Sequence, residues 1–301
     1  MTSPAGFRRD AFLSLSPGGF HRIACFEWGP AEAGQIVVCV HGLSRNSRDF
    51  DFLAAALADR CRVVCMDVVG RGESDWLKDK GNYRFSTYLS DAATLIARVT
   101  ASQAPATVDW VGTSMGGLIG MLLAAKNGSP IRRLVLNDVG AFIPWAALYR
   151  LKGYVAAPAR FPTRDAVEAY LRDACAPFGP LNDAEWRHLA EHSAHPDGDG
   201  AFRLRYDPGI AGGMRGGQPD PELPLGPNYL AGIDLWSVWR DIRCPVLVIR
   251  GSESDVLSGE TLARMQALGP NVETVEWPGV GHAPALMNAE QIAAVREFLL
   301  R

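Results

Sequence analysis

No run of about 18 consecutive apolar residues occurs in the 301-residue chain, which leaves no candidate for a membrane-spanning helix. The segment from Met1 to Leu15 carries Arg8, Arg9 and Asp10 and lacks the apolar stretch of a secretory signal. These two absences predict a soluble, cytoplasmic protein. Cysteine is scarce: six residues, Cys25, Cys39, Cys61, Cys65, Cys175 and Cys244, are too few for a disulfide framework at this length. Cys39, Cys65 and Cys244 lie in or beside apolar runs and read as buried thiols. Cys61 and Cys65 together supply only half of a tetrahedral zinc site. An excess of one charge is missing too. The net charge is −3, built from interspersed residues with no basic stripe, which argues against nucleic acid as a partner. Neither a metal nor an organic cofactor is implied.

What is present is the composition of a folding chain, 48% hydrophobic and 21% charged, outside the range of disordered sequences. Short β-branched runs alternate with amphipathic segments of helix length, the pattern of parallel strands joined by crossover helices. The fold class is therefore α/β. Strands are expected at Ile36 to Val40, Val63 to Asp67, Thr107 to Val111, Ile131 to Asn137, Pro245 to Arg250 and Val272 to Trp277. Ala11 to Leu15 and His21 to Trp28, separated by Pro17-Gly18-Gly19, read as an antiparallel hairpin at the sheet edge. Helices are expected at Phe50 to Asp59, Thr87 to Ser102, Met115 to Lys126, Gly259 to Leu268 and Ala289 to Leu300. The alternation stops between Val139 and about Asp241, which holds no strong strand and a glycine- and proline-rich loop from Asp207 to Pro227. This predicts a core domain of residues 1–138 and 242–301 interrupted by a helical cap, 139–241. A loop that long inside a compact domain is expected to lie over a site or to form a surface excursion.

Gly112-Thr113-Ser114-Met115-Gly116 is a G-x-S-x-G lying where an expected strand ends and an expected helix begins. A serine hydroxyl is a weak nucleophile until a base removes its proton, and a sharp turn is needed to lift it clear of a sheet. Glycines on either side remove the side chains that would collide at such a turn. Ser114 is the candidate nucleophile.

With these residues the sequence resembles the α/β-hydrolase family, from about Ile36 to Leu300 and most weakly across the cap. The resemblance implies a mostly parallel central sheet flanked by helices with an inserted helical cap. His41-Gly42-Leu43 matches the family's HG turn, and the implied oxyanion-hole donors are the backbone N–H groups of Leu43 and Met115. Asp67-Val68-Val69-Gly70-Arg71-Gly72-Glu73-Ser74 resembles the D-x-x-G-x-G-x-S turn, which speaks for the fold and says little about chemistry. His282, in Gly279-Val280-Gly281-His282-Ala283-Pro284, lies where the family keeps its catalytic base; imidazole alone titrates near neutrality without perturbation. His188, His192 and His195 share helical spacing in the cap, but no carboxylate or cysteine in sequence completes a metal set, and they read as a solvated face.

The acid that orients the imidazole is assigned to Asp255, in Ser252-Glu253-Ser254-Asp255, which resembles the family's acid loop and preserves the order Ser, Asp, His. Glu253 reads as an exposed loop charge. Asp138 is the rival, because some members carry the acid after the strand that Asn137 ends. The implied activity is hydrolysis of carboxylic esters with small or medium acyl groups through a serine acyl-enzyme. The expected partner is a small-molecule ester; oligomeric state is not legible. Carbon–carbon hydrolysis of ring-cleavage products, lactone opening and cofactor-free perhydrolysis use the same triad, and a non-catalytic binding protein on this fold belongs to a different class. The aromatics Phe142, Trp145, Trp236 and Trp239 read equally as acyl-pocket lining and as core.

Overall fold

The computed structural model describes residues 6–155, 160–213, 220, 222–269 and 271–301. Its centre is an eight-stranded sheet built from β1 (Arg8–Ser16), β2 (Gly19–Trp28), β3 (Ile36–Val40), β4 (Arg62–Met66), β5 (Val108–Thr113), β6 (Ile131–Asn137), β12 (Val246–Gly251) and β13 (Val272–Trp277), in the order β1-β2-β4-β3-β5-β6-β12-β13. β1 and β2 form the expected hairpin, with Ser16 opposite Gly19, and β2 pairs antiparallel with β4; every other pairing is parallel. Parallel strands need helical crossovers. These are α1 (Asp51–Leu57), α2 (Phe85–Val99), α3 (Met115–Ala124) and α9 (Gly259–Leu268), with α10 (Ala289–Leu299) closing the chain. Both faces are covered, so β3 reads as an unbroken buried run, IVVCV, instead of alternating.

Between β6 and β12 the chain leaves the sheet. This segment carries α4 (Trp145–Val155), α5 (Arg164–Ala174), α6 (Asp183–Ser193), the single turn α7 (Ile210–Gly213) and α8 (Trp236–Asp241). It also carries short strands, contrary to the purely helical expectation: β7 (Phe142–Pro144) pairs with β11 (Gly232–Asp234), and β10 (Phe202–Leu204) pairs with β8 (Arg160–Phe161) and β9 (Ala194–Pro196). Such two- and three-residue strands leave no periodic signal in a sequence. α5 is held by Thr163, whose hydroxyl accepts from Ala166 N–H, and α6 by a capping box between Asn182 and Glu185. α8 packs against α3, and its Trp236 and Trp239 belong to the apolar core beneath the sheet helices.

All six cysteines are free; five are buried and Cys244 is partly so. Burial pushes the Cys61 thiol up to about 11 and that of Cys25 up to about 12, which keeps both protonated and inert. Among the described residues no helix is long and apolar enough to cross a membrane.

Candidate active site

Ser114 stands between the last residue of β5 and the first of α3 with φ 51° and ψ −114°, a left-handed conformation that is costly for a residue with a Cβ. The flanking glycines are sterically required. A Cβ on Gly112 would lie 2.3 Å from the Gly116 carbonyl carbon, and one on Gly116 would lie 1.9 Å from the Val40 carbonyl oxygen. Strand and helix can therefore cross closely enough to force the turn only with glycine at both positions.

The strain turns the hydroxyl toward the C-terminal loop. Ser114 Oγ is 2.9 Å from His282 Nε2, and His282 Nδ1 is 2.7 Å from Asp138 Oδ2. Both distances are those of well-formed hydrogen bonds. Asp138 is fully buried; its Oδ1 accepts from Gly251 N–H at 2.9 Å and its Oδ2 from the Ser254 hydroxyl at 2.6 Å.

The carboxylate beside the imidazole is Asp138, the rival candidate, instead of the expected Asp255. Asp255 is not at the imidazole; it is held by Arg150, which donates from Nε and Nη2 to its two oxygens at 2.6 and 2.7 Å. Burial works to raise the Asp255 carboxyl, but Arg150 outweighs it and holds the group below the ordinary carboxylate range. The loop after β12 still serves the site, through Ser254 instead of Asp255. Its hydroxyl steadies Asp138 and also accepts the N–H groups of Val256 and Leu257.

The Ser114–His282 pair opens into a cavity of about 890 Å³, counting its mouth, which lies between the sheet and the β6–β12 segment. Among the described residues, the tyrosine and phenylalanine side chains on it are Tyr170, Phe178 and Tyr206. Phe142, Trp145, Trp236 and Trp239 do not line it; the two Trp side chains of α8 are core. Leu43 borders the same cavity, and Met115 follows Ser114 directly.

Residues 37–295 match the alpha/beta hydrolase family. The chain belongs to that family. A 3-hydroxybutyrate-oligomer hydrolase of Cupriavidus necator is 44% identical over 288 residues, covering 94% of each chain. A 2-(acetamidomethylene)succinate hydrolase of Mesorhizobium japonicum is 31% identical over 252 residues, 83% of this chain and 82% of that one. Among solved structures, an alpha/beta hydrolase from Novosphingobium aromaticivorans superimposes with a TM-score of 0.83 at 33% identity, covering 100% of this chain and 99% of the other. The relatives are hydrolases, and at that level so is this chain.

Within this alpha/beta hydrolase, two side chains to which the sequence assigns no role, Asn137 and Arg71, hold the site together. Asn137 donates from Nδ2 both to Thr113 Oγ1 at 3.0 Å and to Pro284 O at 2.8 Å, tying the end of β5 to the loop of His282. Arg71, fully buried in the D-x-x-G-x-G-x-S turn, donates from Nε to Leu43 O at 2.8 Å and from Nη1 to Val69 O and the Tyr88 hydroxyl. Its Nη2 lies 3.6 Å from Met115 Sδ, so one guanidinium braces both residues expected to border the oxyanion. The motif was read as a fold signature only, because nothing local in it reveals a reach of that length. His41 is structural: Nε2 accepts from Val68 N–H at 3.0 Å and Nδ1 faces Gly42 O at 2.7 Å. Burial lowers its pKa to about 3, so the ring is neutral and its tautomer fixed.

The cap histidines do not form a solvated face. His188 is buried, with Nε2 2.9 Å from Arg48 O, and its ring lies 4.5 Å from that of His192. Asp51, far away in sequence, joins them: possible ligand atoms of Asp51, His188 and His192 all lie within 4.8 Å of one another. Arg48 Nε and Nη2 already engage the Asp51 carboxylate, so a cation from the chain itself occupies that position. His195 lies apart, its Nδ1 near Pro196 O.

Proposed function

We propose that this chain hydrolyses carboxylic esters through a Ser114–His282–Asp138 triad, with short oligomers of hydroxyacids as the substrate class. The observation that carries the mechanism is the continuous chain of hydrogen bonds from Ser114 Oγ to the His282 imidazole to the Asp138 carboxylate at the edge of a cavity. The substrate class is supported by the extensive likeness to a hydrolase of 3-hydroxybutyrate oligomers.

In this reading Ser114 Oγ attacks the ester carbonyl while His282 Nε2 takes its proton. Asp138 holds Nδ1–H and favours the imidazolium as it forms. The oxyanion is met by the amides of Leu43 and Met115, worth about 3 kcal/mol each to the transition state in such sites. His282 then protonates the leaving alkoxide, and water repeats the sequence in reverse to release the acid. The segment between β6 and β12 acts as a cap. Pro177 accepts from Gly281 N–H at 2.8 Å, which fastens it to the His282 loop and helps keep bulk water from the acyl-enzyme.

The test is labelling with a fluorophosphonate probe alongside turnover of p-nitrophenyl butyrate and of the 3-hydroxybutyrate dimer. The wild-type chain should be labelled at Ser114 and hydrolyse both esters, and Ser114→Ala should lose labelling and at least about 10³-fold in rate while keeping its circular dichroism. Substantial turnover by the folded alanine variant would exclude this nucleophile.

A further inference from the structure

Two arginines face the cavity in which Ser114 lies, Arg45 from the loop after β3 and Arg150 from α4. Each is gripped by a carboxylate that does not itself line that cavity. Arg45 donates from Nε and Nη2 to Asp49 at 2.8 and 2.7 Å, and Arg150 from the same two nitrogens to Asp255. Among the described residues, Arg45 Nη1 makes no hydrogen bond. Burial opposes the Arg45 charge and Asp49 outweighs it, so the side chain remains a cation. A guanidinium fixed along one edge presents its remaining N–H groups in a rigid array suited to a second carboxylate.

The location matters as much as the chemistry. A methyl group on Gly42 would lie 3.7 Å from the Ser114 Cβ and 3.9 Å from the Arg45 Cγ, so both side chains leave the backbone beside the same turn. The surroundings are apolar: Leu171, Ala174 and Phe178 border the cavity, and the Arg45 guanidinium lies 5.8 Å from the Phe178 ring centre. Cations beside a reacting serine in such a setting have a use if the substrate is an anion. In an ester of a β-hydroxyacid only two carbon atoms separate the ester oxygen from the free carboxylate, a distance of about 4 Å.

We propose that Arg45, assisted by Arg150 of the same cavity lining, binds the free carboxylate of the substrate's leaving hydroxyacid, so that the site selects oligomers cleaved next to their acid end. Asp49 and Asp255 are positioning residues, each holding its arginine in place. The proposal rests on the ester-hydrolase reading above and specifies which end of the substrate is recognised.

The test compares kcat/KM for the 3-hydroxybutyrate dimer as free acid and as its primary carboxamide, a neutral isostere with the same scissile ester. The wild type should favour the acid by about ten- to a hundredfold, the range of charge-assisted hydrogen bonds to a carboxylate. Arg45→Met should bring the ratio near one, Arg45→Lys should restore part of it, and Arg150→Gln and Asp255→Asn should each lower it about threefold to tenfold. Should Arg45→Met fail to fold, as judged by circular dichroism, the Arg45→Lys and Arg150→Gln ratios decide. A wild-type ratio near one, with both dimers hydrolysed, overturns the carboxylate subsite and leaves the ester-hydrolase reading intact. Variants that slow acid and amide equally also overturn it, since that is the signature of a merely structural role. If p-nitrophenyl butyrate is hydrolysed and neither dimer is, the substrate class falls and the subsite with it. If no ester is cleaved and Ser114 is not labelled, the function itself is refuted.

Discussion

Replacing Asp138 by asparagine separates the two candidate acids most sharply. Asp138 accepts at Oδ1 from Gly251 N–H and at Oδ2 from both Ser254 and His282. An asparagine can satisfy Gly251 only by turning its amide nitrogen toward His282, where a donor compels Nδ1 to become an acceptor. The proton then resides on Nε2, which can no longer accept one from Ser114. The opposite amide orientation sets two donors, Nδ2 and Gly251 N–H, against each other in a buried site. The first orientation avoids that clash and is the one adopted, so the productive tautomer is lost, and kcat/KM for p-nitrophenyl butyrate should fall about 10³- to 10⁴-fold, equivalent to about 4 to 5.5 kcal/mol of transition-state stabilisation. Asp255→Asn weakens only a partly exposed ion pair with Arg150, worth at most about 1 kcal/mol, and should cost less than about fivefold on this neutral ester. Both variants should retain wild-type circular dichroism. A loss of a hundredfold or more in Asp255→Asn, beside less than tenfold in Asp138→Asn, would refute the assignment of the acid.

Two other outcomes are expected. Gly116→Ala sets a methyl 1.9 Å from a backbone oxygen of β3, and should lower Tm by about 10 °C or prevent folding, whereas Gly34→Ala, with nothing within 4 Å of the added Cβ, should change it by no more than about 2 °C; equal Tm values for the two would show that the elbow can relax. Burial, reinforced for His192 by Arg48, lowers the pKa of both His41 and His192 from 6.5 to about 3. An unfolded chain therefore binds protons at both rings below pH 6.5 that the folded chain refuses, and their stabilisation, complete above 6.5, is lost as pH falls toward 3. Asp67, raised by burial to about 6 from 3.8, acts in the opposite sense: its contribution is full below about 4 and is lost as pH rises through 6. Urea unfolding between pH 7.5 and 5 should show a net loss on acidification, and His192→Asn should flatten it by at most about 1.4 kcal/mol per pH unit. Parallel profiles for the two proteins would mean that His192 titrates alike in both states.

Elements whose residues carry their own signal were legible from sequence. β3, β6, β13 and α9 run over the residues expected, because each is an apolar run or an amphipathic stretch with clear borders. β5 runs on to Thr113, two residues beyond its expected end, since pairing with β6 continues to the elbow, where Thr113 faces Asn137. Ser114 and His282, which the structure brings to 2.9 Å of each other, each lie in a short motif next to an element boundary. The carboxylate that meets the imidazole was not legible, for a physical reason. Asp138 and Asp255 both follow a strand at the same end of the sheet, and what distinguishes them is which distant group reaches each one: Ser254 and His282 for the first, Arg150 for the second. Those partners are more than a hundred positions away, and no local pattern encodes them. The cavity's Tyr170, Phe178 and Tyr206 escaped for the same reason, as did the meeting of Asp51 with His188 and His192.

Thr113 and Asn137 are paired partners on adjacent parallel strands, and the residue after each, Ser114 and Asp138, leaves the sheet with positive φ. In the proposed triad, hydroxyl and carboxylate are therefore set by a single rung of one ladder, and the imidazole arrives on a loop. A one-residue slip between β5 and β6 would send the two strand ends to opposite sides of the sheet and separate the hydroxyl from the carboxylate. Alignment of this one strand pair, more than the shape of the cavity above it, is what evolution or a designer must leave untouched while everything around it is remodelled.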